Sequence, residues 1–182
     1  MGAAVHDIHV TEVEGTQAQA HVAGRSYSVC LGRGGVVSPH AKREGDGCTP
    51  AGQYPLRGIF YNPERVVLPS SLNLPAQAIS PHQGWSDDPE DPCYNTFVNL
   101  PHSYRHEVLW REDALYDVVI VVGYNDAPPV PGVGSAIFIH VRKSPASSTE
   151  GCVAFFLCDL LSVLPHLSDA SRVFIPLPST AH

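Results

Sequence analysis

"GSAIFIHVRKSPASSTEGCVAF", residues 134–155, joins an apolar run to a cysteine set behind a glycine, through a loop of small polar residues. The run has the length and the branched, aromatic content of a strand. Strand alternation puts Ala136, Phe138 and His140 on one face and Ser135, Ile137 and Ile139 on the other. His140 therefore leaves the sheet at a strand end, twelve positions before Cys152. "SPASST" can loop back far enough to bring that strand end over the cysteine. Two explanations compete: a buried histidine beside a buried thiol, or a base beside a nucleophile.

The flanking sequence reads as more strands and turns. "RSYSVCLG" alternates from Arg25 like a half-buried strand, and "GRGG" follows as a turn. "KREGDGCTPAGQYPL" from Lys42 is a glycine- and proline-rich loop feeding a strand at "YPLRGIF", with Asp46 expected to bond its own backbone. "RVVLP" at Arg65 predicts a short strand, and "PHQGWSDDPEDPCYN" (81–95), with its prolines and acids, an irregular surface segment. "HEVLW" predicts a short element, and "YDVVIVVGY" a strand covered on both faces. Asp159 is placed to cap a short helix through "LLSVLPHL", with Pro165 limiting its regularity, before a closing strand at "RVFIPLP". The sum is a mainly β chain with one or two short helices, expected to form one domain over residues 1–182.

Composition bounds the function. The 182 residues suit one sizeable core, and 43% hydrophobic with 16% charged content is ordinary for a globular protein. Seventeen prolines and fifteen glycines favour short strands over long helices. A formal charge of −7 with no basic stripe argues against nucleic acid or an anionic membrane as the main partner. No apolar run approaches the ~18 residues of a membrane span, so no transmembrane segment is expected. "MGAAVHDIHVTEVEG" lacks the cationic start and apolar core of a secretory signal. A cytoplasmic location is therefore expected, with a periplasmic one as the alternative if a leader has been removed. The five cysteines (Cys30, Cys48, Cys93, Cys152, Cys158) include no CxxC pair, which favours reduced thiols over a disulfide framework or zinc site. His140, Cys152, Cys158 and His166 match no standard zinc spacing, and no metal or cofactor is expected.

Only a thiolate attacks carbonyls well, and an imidazole within about 3 Å can take the thiol proton. Gly151 lets the chain turn tightly beside Cys152, and amides near that turn can bind an oxyanion. Arg142 and Lys143 follow the histidine; Arg142 shares its parity and is the preferred partner for a substrate carboxylate. Tyr124 and Asp126 in "GYND" either orient the histidine, line the pocket or form a plain strand-end turn. Trp85 either covers the site or anchors packing. His140 needs an orienting partner, Ser135 or a backbone carbonyl. Cys30 and Cys158 read as core.

"KREGDGCTPAGQYPL", "GWSDDPEDPCYN", "LYDVVIVVGYND" and "GSAIFIHV…STEGCVAF", which lie along the chain in this order within about residues 25–178, resemble the YkuD-type L,D-transpeptidase catalytic domain. The resemblance implies a β-sandwich-like catalytic fold acting on peptidoglycan stem peptides or muropeptide precursors. It implies Cys152 as nucleophile and His140 as base, with Gly151 and Thr149 in the nucleophile motif. It also implies cleavage between the L-centre of diaminopimelate and a terminal D-alanine through an acyl-enzyme. The familiar motif has a histidine where this chain has Glu150, and an arginine soon after the cysteine where this chain has none before Arg172. The interval from His140 to Cys152 is also short for the family, which favours water as acceptor and an L,D-carboxypeptidase acting on recycled peptides. A periplasmic cross-linking transpeptidase is the alternative, and a wall-peptide-binding domain without activity the third. Papain-like peptidases carry the cysteine before the histidine, and a sortase would need a threonine-leucine signature that is missing.

Overall fold

A computed structural model describes residues 6–178. Its first three strands are a meander: β1 (Ile8–Glu14), β2 (Gln17–Val22) and β3 (Arg25–Cys30), joined by tight turns with glycines at positive φ. Alternation drives them, since Ile8 and Val10, Ala18, Ala20 and Val22, and Tyr27 and Val29 all enter one core. A two-residue parallel ladder, β4 (Val36–Val37) with β5 (Thr49–Pro50), precedes the long β6 (Gly52–Tyr61) and the short β7 (Ala76–Ala78). Next come β8 (Gln83–Ser86), β9 (Phe97–Asn99) and β10 (His106–Val108), a separate three-stranded sheet in the order β10-β8-β9. The chain ends with β11 (Val118–Val122), β12 (Phe138–Val141), β13 (Val153–Phe155), helix α1 (Leu157–Val163), a 3-10 turn at Leu164–His166, and β14 (Arg172–Ile175).

The main sheet runs β11-β12-β13-β3-β2-β1-β14-β6-β7, and β6 also pairs antiparallel with β11. The sheet therefore closes on itself, and the expected β layers are two sides of one continuous ladder. Inside it lie Val118, Ile120 and Val122 of β11, Ile139 and Val141 of β12, and the inward residues of the meander. Leu160 and Val163 of α1, with Leu164 and Leu167, belong to the same cluster. The other face of β11 and β12 carries Val119, Val121 and Phe138, packed with Trp85, Leu109 and Tyr116 of the 79–116 segment, and Cys152 sits in this second cluster. Both faces of β11 are thus buried, as its unbroken apolar run predicts.

Several expectations change. "RVVLP" forms no strand: Val66 is buried, but Val67 is 91% exposed and the segment lies beside no ladder. The 81–95 segment is not wholly irregular, because Gln83–Ser86 form β8. Asp159 lies in the first turn of α1, while the N-cap is Phe156 with no side-chain cap. β12 begins only at Phe138, because Gly134 (φ 115°) and Ala136 (φ 52°) leave the extended region.

Candidate active site

β12 and β13 run parallel, with Ile139 opposite Val153 and His140 opposite Ala154. This register sets Cys152 level with Phe138 and His140 one pleat further along on the same face, so parity delivers both groups to one surface. The surface is the floor of a cavity of about 970 Å³. Its walls come from Glu44, from the Arg105–Tyr116 stretch, from Ser135 and Ala136, and from the loop that links His140 to Cys152.

Cys152 is 6% exposed. Among the described residues its Sγ has two hydrogen-bond partners: the Phe138 amide donates to it at 3.3 Å, and it donates to the Ala136 carbonyl at 3.3 Å. Burial first, then the charge of Glu107, pushes the thiol up to about 12. His140 Nδ1 lies 2.9 Å from the Val141 carbonyl. A carbonyl only accepts, so Nδ1 carries the hydrogen and Nε2 is left as the acceptor of a neutral ring. Burial holds His140 down to about 4. No hydrogen bond joins Cys152 to His140 among the described residues: the thiol donates to Ala136, and the two groups share the cavity floor as a neutral thiol and a neutral imidazole. The partner that orients His140 is thus a backbone carbonyl; Ser135 Oγ donates instead to Glu44 at 2.6 Å.

The turn before Cys152 is pinned from three sides. Thr149 Oγ1 accepts the Gly151 amide at 3.1 Å and donates to the Cys152 carbonyl at 2.7 Å. The Thr149 backbone bonds to Leu31 and Arg33 beyond β3. Gly151 has φ 134°, and a Cβ there would stand 2.7 Å from the Cys48 carbonyl oxygen, so glycine is required. The "EGDGCTPAG" loop supplies that wall. Asp46 accepts from the Arg43 and Cys48 amides at 2.8 Å and from Lys42 Nζ at 2.7 Å. Glu150 is exposed at the cavity rim in an ion pair with Arg33, whose Nε reaches both carboxylate oxygens, at 2.8 and 2.9 Å.

Arg142 does not extend into the cavity as a free cation, although it borders it. It is 3% exposed and lies over the Phe156 ring at 4.9 Å. Its guanidinium donates to Ser144 and Pro145 carbonyls, to Gln17 Oε1 at 3.1 Å and to Ser28 Oγ at 3.4 Å. The chain leaves β12 after Val141, so parity no longer applies at Arg142. Lys143 is the exposed cation of this loop on the cavity. Tyr124 is not in the cavity wall either. It packs T-shaped on Tyr54 in the inner core, donates to the Val133 carbonyl at 2.8 Å, and marks a plain strand-end turn. Asp126 pairs with Arg57 at the surface at 2.8 Å. Trp85 is a packing anchor, T-shaped against Phe138 and facing a separate cavity of about 220 Å³.

Two groups were not legible in the sequence. Tyr116 packs T-shaped against His140, with ring centroids 5.3 Å apart, and its hydroxyl donates to the Glu107 carboxyl. Burial raises Glu107 above the usual carboxylate range. "HEVLW" and "LYDVV" give no sign that their polar residues converge on the cysteine. No group of three or more His, Cys, Asp or Glu among the described residues is placed to hold a metal ion. The family model for YkuD, the L,D-transpeptidase catalytic domain, matches residues 10–175. No curated protein and no solved structure matches the chain.

Proposed function

The chain belongs to the YkuD family of L,D-transpeptidase catalytic domains, enzymes of peptidoglycan peptides, and from that premise we propose that Cys152 is its acylating nucleophile, His140 its base and water its favoured acceptor. The observation that carries the reading is the parallel register of β12 and β13, which puts both side chains on one cavity floor with the Nε2 of His140 free to accept. The substrate is a tetrapeptide stem, cut between the L-centre of its diamino acid and the terminal D-alanine.

The thiol proton passes from its resting contact with Ala136 to His140 Nε2, and the sulfur attacks the scissile carbonyl. The Cys152 amide, at the mouth of the pinned turn, is the donor proposed for the oxyanion. The imidazolium then protonates the departing D-alanine amine, leaving a thioester on Cys152. His140, neutral again, takes a proton from water, whose oxygen displaces the sulfur and releases the tripeptide; the imidazolium then returns that proton to the Cys152 thiolate. Lys143 is proposed for the substrate carboxylate, a role withdrawn from Arg142.

The short, clasped loop supports water as acceptor, because it limits room beside the acyl group. The five unpaired thiols support a reducing, cytoplasmic setting. An amine acceptor, giving a cross-link, is the second reading. The cavity's size favours it, as do Glu107 and Glu44, which form no ion pair among the described residues. Mass spectrometry of a disaccharide-tetrapeptide incubated with the protein and with Cys152→Ala decides. Loss of D-alanine to the tripeptide, absent with the variant, supports the carboxypeptidase. Cross-linked dimers transfer the reading to the amine. Turnover by Cys152→Ala overturns the assignment of the nucleophile.

A further inference from the structure

Ala136 holds φ 52°, a left-handed conformation that residues with a Cβ adopt only when their surroundings impose it. Its carbonyl accepts the Cys152 thiol at 3.3 Å, and its amide donates to Asn95 Oδ1 at 3.0 Å. Asn95 is buried, is itself left-handed at φ 56°, and is bonded on every side. Oδ1 also accepts from Trp85 Nε1 at 3.0 Å, while Nδ2 donates to the Tyr124 carbonyl at 3.1 Å and the Asn125 carbonyl at 2.7 Å. One side chain from the 79–116 segment therefore ties that segment and the 124–125 turn to the residue facing the nucleophile.

We propose that Asn95 is a positioning residue for the nucleophile: by holding the Ala136 amide it keeps that residue left-handed, aims the Ala136 carbonyl at Sγ and fixes where the S–H bond points. The inference rests on the reading of Cys152 as the attacking group. A carbonyl that accepts from the thiol favours the protonated sulfur and competes with His140 Nε2 for the same proton. The Phe138 amide, which donates to Sγ at 3.3 Å, favours the thiolate. Asn95 thus sets the balance between two backbone groups that pull the sulfur in opposite directions. Substrate entering the cavity has to break the Ala136 contact before His140 can take the proton.

The test is the rate of iodoacetamide alkylation of Cys152, read by peptide mass spectrometry across a pH series, with circular dichroism reporting the fold. Asn95→Ala frees Ala136 and removes the bond that favours the thiol, so alkylation at a given pH rises about tenfold, the thiolate gain of one pKa unit. Asn95→Asp keeps the acceptor and adds negative charge, so alkylation stays level or slows. Trp85→Phe loosens the same segment while leaving the bond to Ala136, and its rate stays within about twofold of the native rate. A folded Asn95→Ala with the native profile overturns the proposal, as does Trp85→Phe accelerating alkylation equally. If Asn95→Ala does not fold, faster alkylation of Asn95→Asp overturns it. Alkylation reads the thiol whether or not it is catalytic. D-alanine release by Cys152→Ala would therefore refute the nucleophile assignment separately.

Discussion

Gly151 and His140 carry the strongest residue-level demands. At Gly151 a methyl group would collide with the Cys48 carbonyl at a φ that side chains avoid. Gly151→Ala is expected to shift the pinned turn and misplace Cys152, lowering kcat/KM for D-alanine release about a hundredfold, as a displacement near 1 Å does in other sites. The same assay with a melting curve separates this from a global loss, expected at about 1–3 kcal/mol. His140→Gln should lower D-alanine release by about 10²–10⁴, since it removes the base proposed for the Cys152 proton. That His140 and Cys152 share one cavity floor was legible in the sequence because strand parity and a glycine turn are local signals. Glu107 and Tyr116 were not, because the packing of Tyr116 on His140 and its bond to Glu107 depend on how a separate three-stranded sheet docks. Arg142 was misjudged for a related reason: parity is a property of a strand, and the strand had ended.

The segment between β12 and β13 shows how an element is held without regular hydrogen bonding. Arg142 is its clamp, reaching Ser144 and Pro145 on its own loop and Gln17 and Ser28 on β2 and β3. Hydrogen bonds from a charged donor contribute about 1.5–3 kcal/mol each when their loss leaves buried acceptors unmet. Arg142→Met is therefore expected to destabilise the chain by about 2–3 kcal/mol by urea unfolding and to speed tryptic cleavage after Lys143. Unchanged cleavage would show that the loop holds its shape without the clamp. β3, β6, β11 and β14 were legible from apolar or alternating runs. β2 escaped because alanine, glutamine and histidine alternate in it with little contrast, whereas β1 sets Ile8 and Val10 in alternation with polar residues and carries an ordinary strand signal. "RVVLP" failed the other way, since branched residues alone make no strand without a neighbour to pair with.

Over the whole molecule, the two buried site groups tie stability to pH in opposite directions. His140 is held at about 4 against an ordinary 6.5, so the unfolded chain binds the extra proton. Its contribution is present in full above pH 6.5 and is lost as pH falls toward 4, a change of about 3 kcal/mol. Cys152 is held at about 12 against 9, so its contribution is present below pH 9 and is lost as pH rises toward 12. Urea midpoints measured against pH should fall on both flanks, and His140→Gln should flatten the acid flank alone. An acid flank of native steepness in that variant would assign it to carboxylates instead. Closure of the main sheet could not be read from the chain, because the β6–β11 ladder is a long-range pairing with no local mark. Its consequence reaches beyond the active site. An open sheet offers bare amides and carbonyls on which a second molecule can template itself and begin to aggregate. Here eight strands satisfy one another in a ring, and the one main-sheet strand outside it among the described residues, β7, is three exposed residues, Ala-Gln-Ala. That strand is too short and too polar at its centre to recruit another chain, so crowded copies of this protein have little main-sheet backbone through which to polymerise.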